Sequence, residues 1–277
     1  MTLEAITRQV EEIAREGGAF LRDSNLSFNA TSVENKHEHD YVSYVDRNSE
    51  RRLAARLHAL LPEAGFITEE GVVEGMFDYT KEAPMSIDGT APHRIEWVID
   101  PLDGTTNFIR NNAPYCVCIG LRSDTEILLG VVYEVCRDEC YSAWKGGPSL
   151  LNGHDIHVST TDSLNDAYAI LELPYNVVQY KRRGRFMYDQ LYGRTACIRM
   201  PGSAAAAICY IAAGRFDIWF EQYIGLWDYT AASVILRQAG GRITTFKGDD
   251  DILNTDNIAA SNGLLHPQLV KMLNEAE

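Results

Sequence analysis

The chain has 277 residues, 45% of them hydrophobic, enough for a sizeable core in one large domain or two closely apposed halves. Thirty-nine acidic against 25 basic residues leave a net charge of −14, which opposes general attraction to nucleic acid or anionic lipid. No apolar run reaches the roughly 18 residues of a membrane span and the first residues do not read as a signal peptide, so a cytoplasmic protein is expected.

In residues 1–22, Leu3, Ile6, Val10 and Ile13 recur on one face of an amphipathic helix, between Glu4, Glu11, Glu12 and Glu16. A second helix is expected over about residues 46–61, with Leu53, Leu57 and Leu60 on one face. Short strand-like runs follow at 66–68, ending in Glu69 and Glu70, and at 95–99, ending in Asp100. Between them, residues 71–94 carry Gly75, Pro84, Gly89 and Pro92 and read as an irregular loop. Residues 117–121, 127–135 and 141–144 predict a meander with a turn at Arg137-Asp138.

Beyond the Asn152-Gly153 turn, strands are expected at 167–171, 196–199, 216–220, 242–245 and 258–260. They alternate with helices at 177–192, 203–213, 229–239 and 267–274. The pattern divides the chain into an N-terminal α+β half, 1–160, and a C-terminal α/β half, 161–277. The six cysteines lack the two-residue pair spacing of structural zinc and read as buried, reduced thiols. The seven histidines show no ligand or triad spacing and read as mostly surface residues, and no Gly-x-Ser-x-Gly elbow is present.

The segment Trp97-Val98-Ile99-Asp100-Pro101-Leu102-Asp103-Gly104-Thr105-Thr106-Asn107-Phe108 is a buried-type strand breaking into a loop with two carboxylates and two hydroxyls. Proline fixes one backbone angle and glycine permits a tight reversal, so both aspartates can turn toward one point. Such a pair suits magnesium, a hard cation held by carboxylates, water and substrate phosphate. Converging carboxylates would otherwise repel a phosphate; two unit charges about 4 Å apart interact by about 4 kcal/mol at an effective dielectric of 20, and only a bound cation inverts the sign.

These residues resemble, without a gap, the central signature of the inositol monophosphatase family, whose superfamily includes fructose 1,6-bisphosphatases and nucleotide-bisphosphate phosphatases. The resemblance extends to Phe66-Ile67-Thr68-Glu69-Glu70, to Leu226-Trp227-Asp228-Tyr229-Thr230-Ala231-Ala232 with Gly240-Gly241 beyond it, and to Lys36, Asp40-Tyr41-Val42-Ser43 and Asp46. It implies a layered α/β/α/β/α sandwich of mixed α/β (α+β) class, a homodimer, and two or three Mg2+ per active site. The ligands it implies are Glu69, Asp100 as the bridge, the Leu102 carbonyl, Asp103 and Asp228. Glu69 and Thr105 would flank the attacking water, with Asp46 orienting the Thr105 hydroxyl. Gly104 and Thr105 would offer backbone N–H groups to the phosphate, as the start of a helix can. Asp228 also fits a helix cap.

For the leaving group, the resemblance implies contacts from Gly202, Ser203 and Ala204, where small residues also permit close helix packing, and from Glu221, a polyol reader that disfavours anions. The implied substrate is myo-inositol monophosphate or a related small polyol or sugar phosphate. Lys181, Arg182, Arg183 and Arg185 form a basic cluster that reads as a solvated helix face or as the reader of a second phosphate. The alternatives are therefore fructose 1,6-bisphosphate, 3′-phosphoadenosine 5′-phosphate, histidinol phosphate, or a non-catalytic phospholigand-binding regulator. Two features depart from the family pattern: Thr68 stands where glycine is usual, and the loop from Glu69 to Asp100 is long.

Overall fold

The computed structural model describes residues 1–27, 33–37, 40–77, 85–87, 93–174 and 178–276, with side chains of 26–43 excepted. The Lys36 and Asp40-Tyr41-Val42-Ser43 side chains, and much of the loop expected over 71–94, thus lie outside the described residues. In chain order the elements begin α1 (Leu3–Ser27), β1 (Val33–His37), β2 (Asp40–Ser43), α2 (Tyr44–Leu60), β3 (Gly65–Thr68), β4 (Ile95–Asp103) and α3 (Thr105–Ile109). There follow β5 (Cys116–Ser123), β6 (Ile127–Glu134), β7 (Glu139–Trp144), β8 (Ser149–Leu151), β9 (His154–Asp155), β10 (Tyr168–Leu171) and α4 (Tyr180–Leu191). The chain ends with β11 (Cys197–Arg199), α5 (Ala204–Ala212), β12 (Ile218–Gln222), α6 (Leu226–Gln238), β13 (Arg242–Thr244), β14 (Asn257–Ser261) and α7 (His266–Glu275).

The strands β3 to β9 form a seven-stranded sheet in chain order, antiparallel except for the parallel β3–β4 pair. A five-stranded sheet has the order β11-β10-β12-β14-β13, and β1 pairs with β2. Side-chain alternation sorts these sheets into layers, because successive residues of a strand face opposite sides. Val117, Ile119 and Leu121 of β5 join α1 and α2 in one core, whereas Cys116 and Cys118 face a second core built on α5 and α6. Trp219 of β12 closes that second core from the other sheet, while Ile218 and Phe220 pack with α4 and α7 in a third. The result is the layered α/β/α/β/α sandwich, and strands buried on both faces read as near-continuous apolar runs for that reason. No helix among the described residues is long and apolar enough to cross a membrane.

The helix α6 lies unusually close to the large sheet. Gly120 and Gly130 are paired across β5 and β6, and an added Cβ at Gly130 would stand 2.0 Å from the Ala231 carbonyl oxygen. At Gly120 it would meet the Thr230 methyl at 2.8 Å. This bare patch lets α6 settle on the sheet and fixes where its first turn points.

The structure corrects several expectations. The strand β4 does not break at Asp100 but continues to Asp103 with a register shift against β5. Helix α4 begins at Tyr180, and β8, β9 and the β1–β2 pair were not anticipated. Cys116, Cys118, Cys140 and Cys209 are buried free thiols, but Cys136 is exposed. Nor are all histidines at the surface: His266 is buried between the Thr244 and Ser261 hydroxyls, each 2.9 Å from a ring nitrogen.

Two outcomes follow from this packing. Gly130→Ala places a methyl against rigid backbone and is expected to lower stability by about 1–3 kcal/mol, as overpacking does; an unchanged unfolding transition would contradict the close approach. Burial pushes the His266 pKa down from 6.5 to about 4, so the unfolded chain takes up this proton first as pH falls. The stabilisation is present above about pH 6.5 and is lost as pH falls toward 4, a change of about 3 kcal/mol. Denaturant titrations should show the advantage of wild type over His266→Leu shrinking by that amount between pH 7 and pH 4; a constant difference counts against a buried neutral imidazole.

Candidate active site

Three carboxylates converge from two elements. Asp100 and Asp103 occupy the end of β4, where the bulge between them interrupts pairing with β5. Asp228 is the third residue of α6, carried there by the helix's seat on the glycine pair. One oxygen from each lies within 4.8 Å of the others. Glu69 immediately follows β3, the parallel neighbour of β4, and its N–H donates to the Ile99 carbonyl at 3.3 Å. That register sets its side chain beside Asp100.

Charge crowding is evident at Asp100 and Glu69. Burial pushes Asp100 well above the usual carboxylate range, and the charges of Glu69, Asp103 and Asp228 push in the same direction. Glu69 is raised by burial and then by Asp228, with Asp46 adding to the effect. Burial raises Asp103 to about 6, although the Ser203 hydroxyl and the Ala205 N–H, at 2.8 Å, both donate to it and favour its charged form. Anions held this way call for a positive partner. The donor set is entirely oxygen, without histidine or cysteine, and so fits a hard divalent cation such as magnesium rather than zinc.

The surrounding backbone explains how this cluster is held. Gly104 adopts φ 90°, and a side chain there would meet the Pro114 carbonyl at 2.8 Å, so only glycine fits between β4 and α3. The Thr105 hydroxyl donates to the Leu102 carbonyl at 3.0 Å, bringing both expected site groups together. Asp46 is buried on α2 near Glu69. One turn later Glu50, also buried, accepts from the Thr68 hydroxyl at 2.9 Å, the Glu70 N–H at 2.7 Å and the Val72 N–H at 2.9 Å. These bonds hold the strand end that presents Glu69. Asp228 is not the cap of α6; Gly225 is, and its N–H donates to Asp228 Oδ2 at 2.6 Å.

A second clamp joins the two sheets at residues 201–203. Asn107 donates to the carbonyls of Pro114 and Pro201 at 2.8 and 2.9 Å, while the Gly202 N–H donates to Glu172 at 2.8 Å. Ser203 caps α5, accepting from the Ala206 N–H at 3.2 Å, and Ala204 is the first helical residue, buried in the layer between the sheets. Glu221 lies near the end of β12, where burial raises it well above its ordinary range and Glu172, Asp228 and Asp103 add to the shift. The basic cluster divides: Lys181, Arg182 and Arg185 are exposed, whereas Arg183 lies over Phe246 and donates to Gln222.

Sequence reasoning missed Glu50, Asn107 and Glu172. Glu50 is four residues beyond Asp46 and so shares its helix face. Glu172 follows an apolar run directly, as Asp100 does, and the same strand-end reading applies to it.

Residues 2–277 match the inositol monophosphatase family. The chain is 31% identical over 261 residues to the Nus factor SuhB of Escherichia coli (strain K12), covering 94% of this chain and 91% of that one. It is 32% identical over 255 residues to an inositol-1-monophosphatase of Rhizobium meliloti (strain 1021), covering 91% and 90%. The crystal structure of the extragenic suppressor protein suhB of Bartonella henselae has a TM-score of 0.86 at 28% identity, covering 98% of this chain and 99% of that one. Fold and site together define a phosphoric monoester hydrolase. The chain belongs to the inositol monophosphatase family.

Proposed function

We propose that the protein is a magnesium-dependent phosphomonoesterase that hydrolyses myo-inositol monophosphate or a related small polyol or sugar phosphate. The observation that carries this reading is the convergence of Asp100, Asp103 and Asp228 within 4.8 Å, next to Glu69. With the Leu102 carbonyl, these side chains would hold two or three Mg2+. Magnesium, when bound, supplies positive charge that activates water and offsets charge on the phosphoryl oxygens.

The chain's own groups do the rest. Glu69 and Thr105 hold the attacking water, Glu69 accepting its proton, and Asp46 orients the threonine. The backbone at Gly104 and Thr105, on a helix without a side-chain cap, donates to the phosphate. Gly202, Ser203, Ala204 and Glu221 form the leaving-group side, with Asp228 at its edge. Glu221 beside Glu172 makes that side acidic, which favours a neutral alcohol and opposes a second phosphate. Three of the four basic-cluster residues are turned to solvent, which also supports the polyol. The same reading includes two halves, 1–160 and 161–277, and a cytoplasmic homodimer.

Phosphate release from myo-inositol 1-phosphate, fructose 1,6-bisphosphate, 3′-phosphoadenosine 5′-phosphate and histidinol phosphate, with and without Mg2+, tests the proposal. The expected result is magnesium-dependent turnover with the highest kcat/KM on the inositol ester, and a drop of at least about 100-fold in Asp100→Asn with the fold retained. Undiminished turnover in that variant sinks the metal assignment. Preference for a bisphosphate overturns the reading of Glu221.

A further inference from the structure

Glu172 is a carboxylate that the fold buries without using in full. It stands just beyond β10, is 7% exposed, and accepts the Gly202 N–H at 2.8 Å through one oxygen. Its other oxygen has no partner among the described residues, yet it is not sealed inside the protein as the Trp219 indole nitrogen is. A buried carboxylate left half-satisfied at a point that solvent reaches is unfavourable, and a donor arriving from outside completes it.

The strands set its direction. β10 and β12 are parallel with Leu171 opposite Phe220, so Glu172 and Glu221 come side by side one residue further on. Leu171 and Phe220 face the core shared with α4 and α7, whereas Ile170 and Trp219 face the one built on α5 and α6. Alternation therefore turns Glu172 and Glu221 to the side of α5 and α6, and the bond from Gly202, two residues before α5, agrees with this for Glu172. The next residue, Ser203, donates its hydroxyl to Asp103, so Glu172 is joined to the carboxylate cluster through one peptide unit.

Glu221 is partly exposed, and its carboxylate has no hydrogen bond or ion pair among the described residues. Charged carboxylates only accept hydrogen bonds, and these two sit on neighbouring strands, whose backbones lie about 4.8 Å apart. One hydroxyl carries one hydrogen and answers only one of them, so the pair calls for two donors at matching separation. A polyol supplies these on separate carbons. A second phosphate, which brings acceptors and negative charge, is opposed.

We propose that Glu172 is a specificity-determining residue of the leaving-group side: its free oxygen accepts from one hydroxyl of the departing alcohol while Glu221 accepts from a second. This rests on the phosphomonoesterase reading and narrows its substrate to esters of alcohols that carry at least two further hydroxyls.

Glu172→Gln is isosteric, keeps an oxygen for the Gly202 N–H and replaces the charged acceptor by a neutral amide. On the polyol ester turned over fastest, from myo-inositol 1-phosphate and glycerol 2-phosphate, kcat/KM should fall about 5- to 10-fold, the difference between a hydrogen bond to a charged group and a neutral one. The hydroxyl-free counterpart, cyclohexyl or isopropyl phosphate, followed as substrate or as competitive inhibitor, should change by less than about twofold. A carboxylate that serves only to hold Gly202 would shift both esters together, and Tm with them. That outcome, or no loss on either ester, overturns the proposal and leaves the phosphatase reading intact. A loss larger on histidinol phosphate than on the polyol ester makes the pair an ammonium site and overturns it likewise. Absence of magnesium-dependent phosphate release from both polyol esters in wild type refutes the substrate reading and this proposal together.

Discussion

Mutual repulsion among carboxylates is the constraint around which this fold is organised. Asp100, Asp103 and Asp228 come from a strand and a helix that are distant in sequence, yet their oxygens lie within 4.8 Å. Nothing in the local chain favours that approach; burial and like charge raise Asp100 and its neighbour Glu69, and burial raises Asp103. The arrangement persists because packing elsewhere imposes it. The glycine pair on β5 and β6 admits the backbone of α6, and so delivers Asp228 to the end of β4. Extensive burial in three cores supplies the energy that the site itself does not.

The same logic explains the groups just outside the cluster. Glu50 gathers three donors from the end of β3, Asn107 bridges two carbonyls, and Glu172 takes the Gly202 N–H. Each restrains a backbone segment that presents a reacting group, so that little reorganisation is needed when substrate arrives. Thr68, which departs from the family pattern, donates its hydroxyl to Glu50 and so contributes to this support.

Much of this was legible in the sequence, and the residues show why. Contiguous motifs carried their own geometry: proline, glycine and two aspartates within residues 100–104 can turn only a few ways, and the amphipathic stripe of α1 announced itself by spacing. What was not legible depended on contacts across the fold. The seat of α6 on Gly120 and Gly130 cannot be read from two isolated glycines inside strands. The burial of His266 depends on hydroxyls from β13 and β14, and the inward turn of Arg183 on Phe246 and Gln222.

The central claim is that this acidic cluster is completed by a divalent cation. Protons compete with that cation for the same oxygens, and Asp103, raised to about 6, holds its proton over the acidic range. Thermal unfolding of the wild-type protein with and without millimolar Mg2+ at pH 5 and pH 7.5 tests the claim directly. The account predicts a clear rise in Tm with Mg2+ at pH 7.5, little or none at pH 5, and loss of the rise in Asp228→Asn. A rise that is absent at both pH values, or that survives in Asp228→Asn, would contradict it.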